Sequence, residues 1–79
     1  MEETEVYQKL NGIFIDVFGD EALELTPELT ADDVDGWDSL THIRLVVTTE
    51  KAFGMKFSAA EVGALKNVGE LVQLIRSKQ

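Results

Sequence analysis

Residues 38–54 read DSLTHIRLVVTTEKAFG, and whether this stretch is helix or strand decides the fold. Ile43, Val46, Val47, Thr48 and Thr49 are all β-branched, and each lowers helix propensity by roughly 0.5 kcal/mol relative to Ala. Taken alone, IRLVVTT could be a strand. Three observations outweigh that count: Asp38 is a strong N-cap residue, Gly54 supplies a left-handed stop, and no other segment offers a convincing strand partner. The spacing predicts a helix over 39–53, with Leu45, Val46, Thr49 and Phe53 facing inward. Ile43 and Val47 fall together on a neighbouring strip that stays partly exposed. A core-facing Thr49 can satisfy its hydroxyl on the carbonyl of Leu45.

The flanking segments are helical as well. From about Thr4 to Phe18, Val6, Leu10, Ile13, Phe14 and Val17 line one helical face, and Gly19 supplies the stop. From Asp20 to Asp38 periodicity is lost; Leu23, Leu25, Leu29 and Val34 recur singly among acids, Pro27 and Gly36. This is a long loop pinned to a core, with room for a short helical turn, and loops of that length are often functional. Two capping signatures follow, Ser58-Ala59-Ala60-Glu61 and Asn67-Val68-Gly69-Glu70, each placing a side-chain oxygen first and a Glu at the third helical position. The first opens a short helix ending near Leu65. The second opens a helix to about Ser77 with Val68, Leu71, Val72 and Ile75 on one face. The expected fold is all-α: a small four-helix bundle, with a long loop between the first and second helices and a short third helix. Residues 1–79 are expected to form a single domain.

Composition removes several functions. The net charge of −8 argues against nucleic acid, which needs clustered Lys and Arg, and against binding to an anionic membrane surface. Membrane insertion is not expected, because no run of about 18 apolar residues occurs. The acidic start, Met1-Glu2-Glu3-Thr4-Glu5, is unlike a signal peptide, so a cytoplasmic, free-standing and monomeric protein is expected. Residues 1–40 hold twelve acids and only Lys9, while residues 41–79 hold three acids and six bases. Such acid excess either attracts basic partners or simply keeps a small protein soluble. With no cysteine there is no disulfide, no thiolate metal site and no thiol nucleophile.

The segment VDGWDSLTHI, residues 34–43, concentrates the remaining chemistry. Ser39 as a hydrolase nucleophile fails, since Gly36-Trp37-Asp38-Ser39-Leu40 is not a G-x-S-x-G elbow and His42 is the only available base. Calcium binding of EF-hand type also fails: with Gly36 at the sixth loop position, Ala31 and His42 fall where carboxylates are required. No metal site is expected. His42 reads first as a polar surface residue and next as a partner contact, and Trp37 as an anchor of the loop. If Asp38 caps the helix, Ser39 is its first residue, exposed beside uncompensated N–H groups where a phosphate is welcome. Taken alone, these two residues are more simply a doubled helix cap and nothing more.

Asp38-Ser39-Leu40 leading an apolar helix that ends in Glu50-Lys51-Ala52-Phe53-Gly54 resembles the acyl carrier protein family. The order of elements and the closing MKFSAAEVGALKNVGELVQLI agree over nearly the whole chain. The resemblance implies that a phosphopantetheinyl transferase esterifies Ser39 with 4′-phosphopantetheine from coenzyme A, with Mg²⁺ needed only during the transfer. It places Asp38 beside the transferase metal and Leu40 against partner enzymes. The arm would supply the thiol that the chain lacks, and acyl-loading and acyl-transferring enzymes would be the partners. An acyl chain would shelter in a groove lined by candidates Leu45, Val46, Ala59, Val62 and Leu65, positions that ordinary core packing explains equally well.

The chain also departs from the family, whose fatty acid synthesis members usually have an acidic second helix. Between Thr41 and Phe53 there are two bases, Arg44 and Lys51, and one acid, Glu50. The acidic surface lies instead in the preceding loop, through Glu28, Asp32, Asp33, Asp35 and Asp38. The expectation is a specialised carrier whose partners read Asp35, Trp37, Ile43 and Val47, with Arg44 repelling the wrong enzymes. Two alternatives stand beside it: an aminoacyl or peptidyl carrier, whose common LGG before the serine is missing here, and an unmodified acidic helical adaptor.

Overall fold

A computed structural model describes residues 2–78. It contains α1 (Glu3–Phe18), α2 (Ser39–Phe53), α3 (Ala59–Gly63) and α4 (Val68–Ser77), with one 3₁₀ turn at Ala31–Asp33 in the connection between α1 and α2. No strand occurs among the described residues. IRLVVTT is helix, and its boundaries are those its caps imply. Asp38 accepts from the N–H groups of Leu40 and Thr41, both at 3.0 Å, and Gly54 closes the helix in the left-handed region at φ 65°. Tertiary burial overrides the β-branched propensity, because Leu45, Val46 and Thr49 are buried. The Thr49 hydroxyl, fully buried, donates to the Leu45 carbonyl at 2.7 Å.

The core is built by α1, α2 and α4. Val6, Leu10, Ile13 and Phe14 of α1 meet Leu45 of α2 and Val68, Leu71, Val72 and Ile75 of α4. α3 buries none of its residues. It is held by its capping box, in which Glu61 N–H donates to Ser58 Oγ at 3.1 Å and Ser58 N–H to Glu61 Oε1 at 2.8 Å. A 3.0 Å ion pair from Glu61 to Lys78 then ties α3 to the end of α4. The last residues of the predicted third helix, Ala64 and Leu65, lie outside it.

The second capping signature is only half realised. Asn67 Oδ1 accepts from Glu70 N–H at 2.8 Å, but the Glu70 carboxylate takes the N–H of Lys66, at 2.6 Å, instead of that of Asn67. The first two N–H groups of α4 find acceptors in the long connection: Val68 donates to the Leu29 carbonyl at 2.9 Å and Gly69 to the Pro27 carbonyl at 3.0 Å. Donors that would otherwise have no intrahelical partner thereby hold the loop in place. The fit is tight, since a Cβ on Gly69 would lie 3.0 Å from the Pro27 carbonyl oxygen and 3.1 Å from its Cβ.

Two glycine substitutions of opposite sign test this docking. Gly12, in the interior of α1, has open space around its Cβ position, so Gly12→Ala is expected to stabilise by about 0.5–1 kcal/mol. Gly69→Ala is expected to destabilise by about 1–3 kcal/mol despite the same gain in helix propensity, because the Pro27 backbone must give way. Urea unfolding of both variants measures the difference.

Candidate functional site

Ser39 is the first residue of α2 and is exposed. The turn that presents it is closely bonded. The Thr41 hydroxyl accepts from Asp38 N–H at 2.7 Å, and its own proton is within reach of the Gly36 carbonyl at 2.7 Å and Asp38 Oδ1 at 3.2 Å. Gly36 takes φ 86°, a conformation that favours glycine, and lets the chain turn into the cap. The Ser39 hydroxyl makes none of the bonds that hold this turn. One expectation is corrected here: the N–H groups of Leu40 and Thr41 are not open to a phosphate, because the Asp38 carboxylate already occupies them.

The same bonds set the charge of Asp38. The Thr41 N–H, then the Thr41 hydroxyl, then the Leu40 N–H hold its carboxyl below the ordinary carboxylate range. The turn therefore carries a negative charge immediately before Ser39 under all but strongly acidic conditions.

Trp37 anchors the connection, as expected. Its ring meets Phe14 edge-on at 5.4 Å between centroids and Phe18 at 5.6 Å. His42 is not the simple surface residue that the sequence suggested. It is half-buried, its ring stacks on Trp37 at 6.1 Å and 21°, and its Nδ1 accepts from the indole N–H at 3.1 Å. Its Nε2 lies 3.4 Å from the carbonyl of Val62 in α3. The i, i+5 spacing of Trp37 and His42 was visible in the sequence, but the Val62 contact spans twenty residues and left no local signal.

A cavity of about 540 Å³ opens beside the turn, with Ser39, Trp37 and His42 on its wall and Leu45, Leu65 and Leu71 supplying apolar lining. That volume is in the usual range for small-molecule sites. Of the five groove candidates, Leu45, Val46 and Leu65 line it; Ala59 and Val62 do not, and Ala59 faces solvent. Lys66 and Asn67 from the α3–α4 link add polar groups. α2 also exposes an apolar strip that reaches the cavity at Ile43: Leu40 is 79% exposed, Ile43 60% and Val47 41%. Arg44 is exposed beside it, and Asp35 is exposed on the preceding loop.

An exposed serine at a capped helix start, set on the rim of an apolar cavity in a small helical bundle, is the arrangement that the resemblance to carrier proteins implies. Comparison with known proteins agrees. Residues 8–75 match the family model described as "Phosphopantetheine attachment site". A meromycolate extension acyl carrier protein of Mycolicibacterium aurum is 35% identical over 75 residues, covering 94% of this chain and 76% of the relative. An acyl carrier protein of Streptococcus pyogenes serotype M1 is 34% identical over 73 residues, 92% of this chain and 95% of the relative. The solution structure of a holo acyl carrier protein from Geobacter metallireducens superposes with a TM-score of 0.87 at 42% identity, covering 92% of this chain and 84% of that one. The chain belongs to the acyl carrier protein family. No helix among the described residues is long and apolar enough to cross a membrane.

The lowered pKa of Asp38 carries a pH signature. A carboxyl depressed in the folded state contributes stability that is complete above its unfolded value and is lost as the pH falls through the folded one. Asp38→Asn keeps an oxygen acceptor for the cap and removes the titration. Its melting temperature is therefore expected to fall less than that of the parent between about pH 7 and about pH 3, with α2 intact at neutral pH by circular dichroism.

Proposed function

We propose that this protein, as a single carrier domain over residues 1–79, bears a 4′-phosphopantetheine arm on Ser39. On that arm it carries acyl groups as thioesters to acyl-loading and acyl-transferring enzymes. The observation that supports this most directly is Ser39 itself: exposed, first in a capped helix and on the rim of an apolar cavity, within the residues matched by the family. The residues present suit the group. Ser39 offers an unencumbered hydroxyl to a phosphopantetheinyl transferase, and the arm, when bound, supplies the thiol that a chain without cysteine cannot. Asp38 holds the turn in shape and places its charge where a Mg²⁺ of the transferase can be shared. Leu40, the most exposed large apolar residue among the described ones, gives partners a contact beside the serine. The cavity offers shelter to an apolar cargo. The protein is a carrier, modified by an enzyme and not itself one, and works as a monomer in the cytoplasm.

Partner choice is read from α2. Ile43, Val47 and Arg44 form the exposed face next to Leu40, and Asp35 and the half-buried Trp37 flank it from the loop. A face with Arg44 and Lys51 against one acid, Glu50, does not suit enzymes that grip an acidic second helix. A specialised pathway with dedicated partners follows.

Intact mass after incubation with a broad-specificity transferase, coenzyme A and Mg²⁺ tests the attachment. One phosphopantetheine is expected on the parent and none on Ser39→Ala; no gain under conditions that modify a control carrier would leave an unmodified adaptor as the better reading. Partner choice is tested by offering the holo protein to fatty acid ketosynthases and malonyl transferases. Turnover is expected at least about tenfold below that of a housekeeping carrier and should rise in Arg44→Glu; turnover equal to the housekeeping carrier would overturn the specialised reading.

A further inference from the structure

His42 touches two other elements. From α2 it accepts the indole N–H of Trp37, in the long connection, on Nδ1 at 3.1 Å, and it places Nε2 3.4 Å from the Val62 carbonyl of α3. These two contacts are chemically independent, yet they require the same state of the ring. An indole nitrogen only donates, so Nδ1 must be without a proton; a carbonyl only accepts, so Nε2 must carry one. Both are satisfied by the neutral Nε2–H tautomer and by no other form.

We propose that His42 is a positioning residue, a clasp that holds the serine-bearing turn and α3 onto α2 and so sets the shape of the cavity beside Ser39. Trp37 and His42 both line that cavity. α3 buries none of its own residues and depends on tethers of this kind. Removing the imidazole would loosen both arms at once. The effect on a sheltered cargo rests on the carrier reading, but the clasp does not, and the test uses the unmodified chain.

Nitrogen-15 spectra of the imidazole, the single indole N–H and the backbone amides decide it. At neutral pH His42 is expected as the Nε2–H tautomer. In His42→Phe the indole resonance should move to the position of an indole N–H that has no nitrogen acceptor, and the α3 amides should exchange about five- to tenfold faster, with α1 and α4 still protected. An Nδ1–H tautomer, an indole signal unmoved in His42→Phe, or α3 exchange unchanged in that variant would each overturn the proposal. Should His42→Phe fail to fold, the tautomer of the parent and the scalar coupling between its indole N–H and His42 Nδ1 decide the matter by themselves.

Discussion

The connection between Phe18 and Ser39 must cross the bundle with a single 3₁₀ turn as its only regular secondary structure, and the rest of the architecture depends on how it does so. Two of its carbonyls, on Pro27 and Leu29, serve as the acceptors that the start of α4 lacks. Its side chains Leu23, Leu25, Leu29 and Trp37 pack against the core formed by α1, α2 and α4. The loop is therefore structural as well as connective. It brings the chain to Asp38 at the orientation from which α2 can start, and Gly69 is the point where a side chain would press on it.

Much of the fold was legible because helix ends are local. Asp38, Ser58 and Asn67 each announce a start within four residues, and Gly19 and Gly54 announce stops, so competing strand propensity in Ile43–Thr49 could be overruled from the sequence. The destination of the Glu70 carboxylate was not legible: the Asn67 N–H and the Lys66 N–H are both within its reach, and only the approach of the loop decides between them. The turn around Ser39 was read correctly in its cap and wrongly in its open donors, since a carboxylate able to cap α2 also consumes the N–H groups that a phosphate would use.

The cavity was the least legible part. Leu45, Val46 and Leu65 could be named for it from the family resemblance, but the contribution of Ala59 and Val62 depended on how α3 tilts, which a five-residue helix with no buried side chain does not encode locally. His42 was misread for the same reason. A histidine two residues past an exposed leucine looks solvated in one dimension, and its meaning comes from a tryptophan behind it and a carbonyl on a different helix.

The bonding of the Gly36–Thr41 turn has a consequence for reach. On the proposed reading, a group tethered at Ser39 swings from a pivot that scarcely moves, so every orientation it samples comes from the tether. The volume it sweeps is then a property of arm length alone, and a docked enzyme meets its thioester at an effective concentration on the order of millimolar for a short flexible link. An enzyme working on such a cargo has no need to bind the cargo tightly from solution. It needs only to hold the carrier long enough for the tether to find the opening.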